Sequence, residues 1–138
     1  PMQIASGEDV VGAALAWAAP LLAAGPVLVY STAEPGAVKA IQAQLGVEEA
    51  GALVERTIAA VARGLVELHG VRQLLVAGGE TSGACVQALD IRQMQIGPQI
   101  DPGVPWCHAH TPVGHIHITL KSGNFGTDDF FTKAFKLL

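Results

Sequence analysis

Apolar and polar positions alternate in two different rhythms along this 138-residue chain. Between Glu48 and His69, the residues Leu53, Ile58, Val61, Leu65 and Leu68 recur at helical spacing, which predicts a long amphipathic helix stopped by Gly70. Ser6-Gly7-Glu8-Asp9 has the acidic character of a helix start, and the alanine-rich run behind it predicts a helix through Ala19 that stops near Pro20. Ala37 to Leu45 reads as a shorter helix ended by Gly46. Two compact apolar runs, Val27-Leu28-Val29-Tyr30 and Val71 to Val76, predict buried strands, with Ser31 to Gly36 as a polar loop after the first. Helix-to-strand units of this kind argue for α/β layering and parallel pairing.

The rhythm changes in the second half. Ile91 to Ile96 predicts a strand, and Gly97 to Pro105 a loop stiffened by Pro98, Pro102 and Pro105. Trp106 to His110 and His115 to Leu120 predict two strands around the turn Thr111-Pro112-Val113-Gly114. Lys121 to Thr127 reads as a polar glycine loop and Asp128 to Leu137 as a closing helix. The expected fold class is therefore α/β: a layered sheet, parallel in the first half with a hairpin in the second, and helices packed on it. No repeat or interdomain linker interrupts residues 1–138, which read as one domain.

Composition narrows the function classes. Half the residues are hydrophobic and 14% are charged, a balance that suits a packed core rather than disorder. The net charge of −4, with no lysine or arginine run, speaks against nucleic acid as a partner. Val10 to Tyr30 carries no charge, but Pro20 and Gly25-Pro26 interrupt it, and Glu8 and Asp9 stand where a signal peptide needs positive charge. The expectation is thus a cytoplasmic chain without a membrane partner. Cys85 and Cys107 lie far apart with no CxxC spacing, so neither a disulfide framework nor a zinc finger is indicated. Cys85 has no base near it in sequence and reads as a small core residue rather than a nucleophile. Pro1-Met2 enters structure almost at once, which raises the expectation of a piece of a longer protein.

The candidate chemistry centres on the end of the second strand. Leu74-Leu75-Val76-Ala77 runs into Gly78-Gly79-Glu80-Thr81-Ser82-Gly83, and Ala84 to Leu89 then reads as helix. A glycine turn between a strand and a helix start offers bare backbone N–H groups and the positive end of the helix dipole, a combination that binds phosphates. The turn is neither a Walker P-loop nor GxGxxG, and an ordinary tight turn remains the alternative. Glu80 is placed to hold a ribose hydroxyl or a magnesium-bound water, or simply to favour the helix start. Lys121-Ser122-Gly123-Asn124-Phe125-Gly126 is a second candidate: Lys121 for phosphate charge, Gly123 for close approach, Asn124 for hydrogen bonding. Asp101, between prolines, and Asp128 and Asp129 are carboxylates available for magnesium, acid/base work or helix starts. His108, His110, His115 and His117 form H-x-H-x₄-H-x-H; a hairpin around residues 111–114 pairs His110 with His115 and His108 with His117 on one face. No metal ligand is assigned, because no carboxylate is interleaved and a flat face rarely closes a tetrahedron.

The glycine turn, then Ile96-Gly97-Pro98-Gln99-Ile100-Asp101-Pro102-Gly103-Val104-Pro105-Trp106, then Leu120 to Gly126 with Asp129-Phe130-Phe131, occur in that order. In this the chain resembles the carboxyl-terminal nucleotide-binding domain of the four-carbon acid sugar kinases, which act on tetronates such as 3-oxo-tetronate, threonate and erythronate. The resemblance spans essentially the whole chain. It implies ATP with Mg²⁺ as cofactors and transfer of the γ-phosphoryl group to a hydroxyl of a four-carbon sugar acid, with Gly78 to Gly83 and Gly123 against the nucleotide. The acid sugar and the general base would belong to an amino-terminal domain outside this chain, so the catalytic residues are not placed here and the chain alone should be inactive. An apolar surface facing that domain would leave self-association open. The alternatives are a non-catalytic nucleotide-binding or regulatory module and a metal-binding interaction module built on the histidine face, which matches no part of the family pattern.

Overall fold

The computed structural model describes residues 2–138. The chain falls into two compact units that meet in sequence between Val61 and Ala62.

The first unit is helical. Short α1 (Met2–Ala5) precedes α2 (Val10–Ala18), where Asp9 is the N-cap and accepts a hydrogen bond from Gly12 N at 2.8 Å. A 3₁₀ turn at Ala19–Leu21 carries Pro20. The helix α3 (Pro35–Leu45) opens on its proline and closes at Gly46 with φ +84°. The long helix α4 (Val47–Glu67) begins in this unit. Val27–Tyr30 forms no strand, contrary to the apolar pattern. Leu28 and Tyr30 are 62% and 70% exposed, while Val27 and Val29 are half-buried. The alternation is that of a strand, but a strand exists only through its ladder, and every regular element of residues 2–61 is a helix.

The second unit carries the sheet. Beyond the end of α4 come β1 (Gln73–Ala77), α5 (Gly79–Ala88), β2 (Met94–Asp101), β3 (Val104–Thr111), β4 (Gly114–Lys121), α6 (Phe130–Ala134) and a closing 3₁₀ turn. The strand order is β1-β4-β3-β2. β2, β3 and β4 form an antiparallel meander, and β1 pairs parallel with β4 from Gln73↔His117 to Ala77↔Lys121. The fold is mixed α/β with the expected hairpin, and the parallel pair joins β1 to the hairpin's second strand. Arg72 secures that join: its Nη1 donates to Val66 O at 3.1 Å, and its own carbonyl accepts from His117 N at 2.7 Å.

The segment expected to be a proline loop is mostly strand. β2 continues through Gly97, Pro98 and Gln99 to Asp101, with register shifts between Ile96 and Gln99 and again between Gln99 and Asp101. Pro98 is tolerated because β2 lies at the sheet's edge, where a missing N–H breaks no ladder bond. The turn contracts to Pro102-Gly103. The start of the preceding strand also shifts, because Asp90 takes a left-handed φ of +51° after α5 and β2 begins only at Met94.

One face of the meander packs against the end of the chain. Ile100, Val104, Trp106, Phe130 and Ala134 form a buried cluster, with Leu75 and Phe135 against it. Trp106 is 1% exposed, and its indole N–H donates to Ala134 O at 2.9 Å. Phe135 meets the indole edge-on at a centroid distance of 5.7 Å. The indole thus bonds α6 to β3. Trp106→Phe should cost about 1–3 kcal/mol by leaving the Ala134 carbonyl unpaired, and Trp106→Ala about 3–5 kcal/mol through the cavity. Urea unfolding of both variants measures the difference, with the larger loss expected for alanine.

Candidate functional site

The parallel register decides where the candidate residues meet. β1 and β4 end side by side at Ala77 and Lys121, so the turns that follow both strands leave the same edge of the sheet. Ligand sites of open α/β sheets form at such carboxyl ends. The Gly78 amide donates to Lys121 O at 2.8 Å, the last rung of the pair. A Cβ on Gly79 would lie 3.9 Å from Ser122 Cβ. The glycine turn and the 121–127 loop are therefore neighbours.

The turn is shorter than its sequence suggests. α5 starts at Gly79 rather than Ala84, so Gly79 to Gly83 make up its first turn and Gly78 is the N-cap. Gly78 takes φ +114°, a conformation side chains disfavour, and this lets the strand reverse into the helix within one residue. No side chain caps the helix. Ser82 N bonds Gly78 O at 2.8 Å, leaving the amides of the first three helical positions without an intrahelical acceptor. These N–H groups and the dipole behind them are what a phosphate needs. Glu80 and Gly83 are exposed, and Thr81 is half-buried with its side chain against Gly78. Ser82 is 7% exposed, and its buried hydroxyl has no hydrogen-bond partner among the described residues.

The facing loop is held internally. Lys121 Nζ donates to Gly123 O at 3.0 Å, so the ammonium folds over its own loop. Gly123 adopts φ +51°, and Gly123 and Asn124 are exposed at the tip. Phe125 lies over Gly103 of the β2–β3 turn, where a Cβ would meet the ring at 3.3 Å, and the φ of +79° there favours glycine. All three sequence blocks therefore converge: the glycine turn touches the 121–127 loop, and that loop touches the Pro102-Gly103 turn.

Asp101 is occupied rather than free for magnesium. It ends β2, is 6% exposed, and forms an ion pair with Lys133. Its Oδ2 accepts from Thr127 N at 2.8 Å; Thr127 Oγ1 lies 3.1 Å away but has its single proton shared with the nearer Asp129 Oδ1. The Lys133 hydrogen bond, then the Thr127 amide, hold the Asp101 carboxyl below its ordinary range. Asp129 is also lowered, first by Thr127 Oγ1 at 2.7 Å. Lys133 is raised, first by its hydrogen bond to Asp101. Asp128 is exposed. Sequence reasoning missed Lys133 and Thr127; the i,i+4 spacing of Asp129 and Lys133 was the available signal.

The histidines pair as the register required: His108↔His117 and His110↔His115, with ring centroids 4.3 and 3.9 Å apart. Ala109, Ile116 and Ile118 are buried on the opposite face. Among the described residues no three His, Cys, Asp or Glu side chains are grouped to hold a metal ion. Cys85 is fully buried, and its thiol is pushed up to about 11 by desolvation, which removes it as a nucleophile. A cavity of about 230 Å³ lies within the first unit, lined by Val29, Tyr30, Thr57 and Ile58 among others, and contains none of the expected site residues. No helix is long and apolar enough to cross a membrane among the described residues.

The lowered Asp101 carboxyl fixes the sign of a pH effect. Its contribution to stability is complete above the ordinary carboxylate pKa and is lost as pH falls through the depressed folded value. The melting temperature of Asp101→Asn should therefore trail the parent most at neutral pH, with the gap closing below about pH 4. The raised Lys133 contributes fully below its ordinary 10.5 and loses that contribution as pH rises through its higher folded value. Thermal melts of both proteins between pH 3 and 8 measure the gap.

Comparison with known proteins follows the same outline. The sequence model of a family described as the nucleotide-binding C-terminal domain matches residues 2–131. A 3-oxo-tetronate kinase of Burkholderia multivorans is 57% identical over all of this chain, which covers 32% of that protein. A 3-oxo-tetronate kinase of Pseudomonas fluorescens is 54% identical over 97% of this chain and 30% of its own length. The chain thus spans about a third of these relatives. A crystal structure of a Haemophilus influenzae protein superposes with a TM-score of 0.80 at 38% identity, over 99% of this chain and 32% of that one. With the match running through the glycine turn, the Asp101 turn and the 121–127 loop alike, the chain belongs to the nucleotide-binding C-terminal domain family.

Proposed function

We propose that this chain is the ATP-binding part of a kinase that transfers the γ-phosphoryl group of ATP to a hydroxyl of a four-carbon sugar acid, a tetronate or 3-oxo-tetronate. The observation that carries the reading is the uncapped N-terminus of α5 beside the 121–127 loop, at the shared carboxyl end of two parallel strands. The family match and the kinase names of the relatives support it.

The residues fit a nucleotide. Backbone amides of Gly79, Glu80 and Thr81 would receive phosphate oxygens, and the buried, unpartnered Ser82 hydroxyl stands one position further into the same turn. Gly123 and Asn124 would close the opposite side, with Lys121 offsetting charge at their base. Bound ATP would supply the phosphoryl group, and magnesium would arrive with it. What this chain contributes is orientation and charge neutralisation, which dominate phosphoryl transfer. In this reading the acceptor, the base and the choice of hydroxyl would belong to an amino-terminal domain; the relatives are about three times as long as this chain. A cytoplasmic location is part of the same reading, because the reaction consumes ATP.

Calorimetric titration with Mg·ATP tests the cradle against a Gly79→Asp variant. The new side chain has room, because a Cβ there meets Ser122 only at ordinary contact distance, so its effect is electrostatic. Binding by the parent, weakened about tenfold or more in the variant, is expected; equal binding by both would place the phosphates elsewhere. The chain alone, given Mg·ATP and a tetronate, should release no ADP above background in a coupled assay, and turnover would show that it holds its own acceptor site and base.

A further inference from the structure

The 121–127 loop is pinned at both ends. Its first residue is fixed by the last rung of β1–β4, Gly78 N to Lys121 O. Its last residue is fixed by Asp101, which accepts the amide of Thr127, while the Thr127 hydroxyl donates to Asp129. Lys133, one turn into the closing helix, bonds the Asp101 carboxylate and also donates to Thr127 Oγ1. The loop's far end is thereby tied at one point to β2 and to α6. Between the two pins stand Gly123 and Asn124, both exposed at the tip.

We infer that Asp101 and Lys133 are positioning residues, a buried-carboxylate clamp that sets the 121–127 loop at the spacing a nucleotide needs from the glycine turn. Neither touches the nucleotide. The inference rests on the reading of that edge of the sheet as an ATP site, and it adds the two side chains that determine the site's width. The chemistry favours these residue types. A carboxylate can accept from Thr127 N–H and from Lys133 at once, through different oxygens, whereas an amide must turn its NH₂ toward one of those donors. Lys133 faces both Asp101 and Asp129, the latter at 3.6 Å, and offsets one of the two negative charges beside the loop's end. A lysine bonded within the clamp is also held back from wandering into the phosphates.

Clamp and core are separable. The buried cluster of Trp106, Phe130 and Ala134 secures α6 to the sheet without either residue. Loss of the clamp should therefore loosen the loop while leaving the unit folded.

The test uses Asp101→Asn, Lys133→Met, Lys133→Arg and, as a control, Lys136→Met on the exposed face of the last turn. Each is titrated with Mg·ATP by calorimetry, and amide exchange across residues 121–127 is followed by mass spectrometry. Asp101→Asn and Lys133→Met should each weaken Mg·ATP about tenfold, and exchange in the loop should quicken. Lys133→Arg, which keeps the charge and donors, should recover most of the affinity, and Lys136→Met should match the parent. Parent-like affinity in the first two variants, with a quickened loop, would overturn the clamp and leave the ATP reading intact. Unchanged exchange would overturn it as well. Failure of the parent to bind Mg·ATP would overturn the ATP reading, and the clamp's role with it.

Discussion

The parallel pairing of β1 with β4 is the constraint on which the rest of the site depends. Five residues of each strand run in register, and the pair ends with the Gly78 amide on the Lys121 carbonyl. A parallel pair delivers two strand ends to one edge, whereas the antiparallel neighbours alternate. The glycine turn and the 121–127 loop therefore face each other although nearly forty residues of helix and meander separate them in sequence. The remaining contacts refine that placement. Gly78 shortens the turn so that α5 starts at once, Phe125 lies on Gly103, and Asp101 with Lys133 holds the loop's far end.

The same geometry explains why the chemistry is modest. The first turn of α5 offers N–H groups, the opposing loop offers a folded-back lysine and an exposed asparagine, and the nearest buried carboxylate is already engaged. Such a surface has the donors to bind and orient an anion, which is the proposed role. The proposed reading assigns the base to a part of the kinase beyond this chain, which spans about a third of its relatives' length. The histidine face, prominent in the sequence, is two tilted cross-strand ring contacts between the central strands β3 and β4 and lies outside this convergence.

Much of this was legible in the residues, and the failures have physical reasons. The hairpin register follows from period-2 alternation, so the His108–His117 and His110–His115 pairs could be read directly. Gly46 and Gly70 both take positive φ behind the helices they were expected to stop. Val27–Tyr30 misled because apolar β-branched runs specify a strand only when a partner is available, and its own unit is helical. Pro98 misled because proline argues against a strand in general but not at a sheet edge. In the candidate site, the glycines announced a tight strand-to-helix turn, but where α5 begins depends on a single φ at Gly78. Asp101 read as a carboxylate available for magnesium or acid/base work because its partners, Thr127 and Lys133, lie 26 and 32 residues away in sequence. Local pattern does not encode contacts of that range.

The most direct measurement is amide hydrogen exchange of the chain with and without saturating Mg·ATP, resolved to short peptides. The account predicts protection appearing together at residues 78–83 and 121–127, with little change along the histidine strands. Protection confined to one of the two segments, or found elsewhere while ATP is bound, would contradict the claim that β1–β4 pairing builds a single nucleotide site.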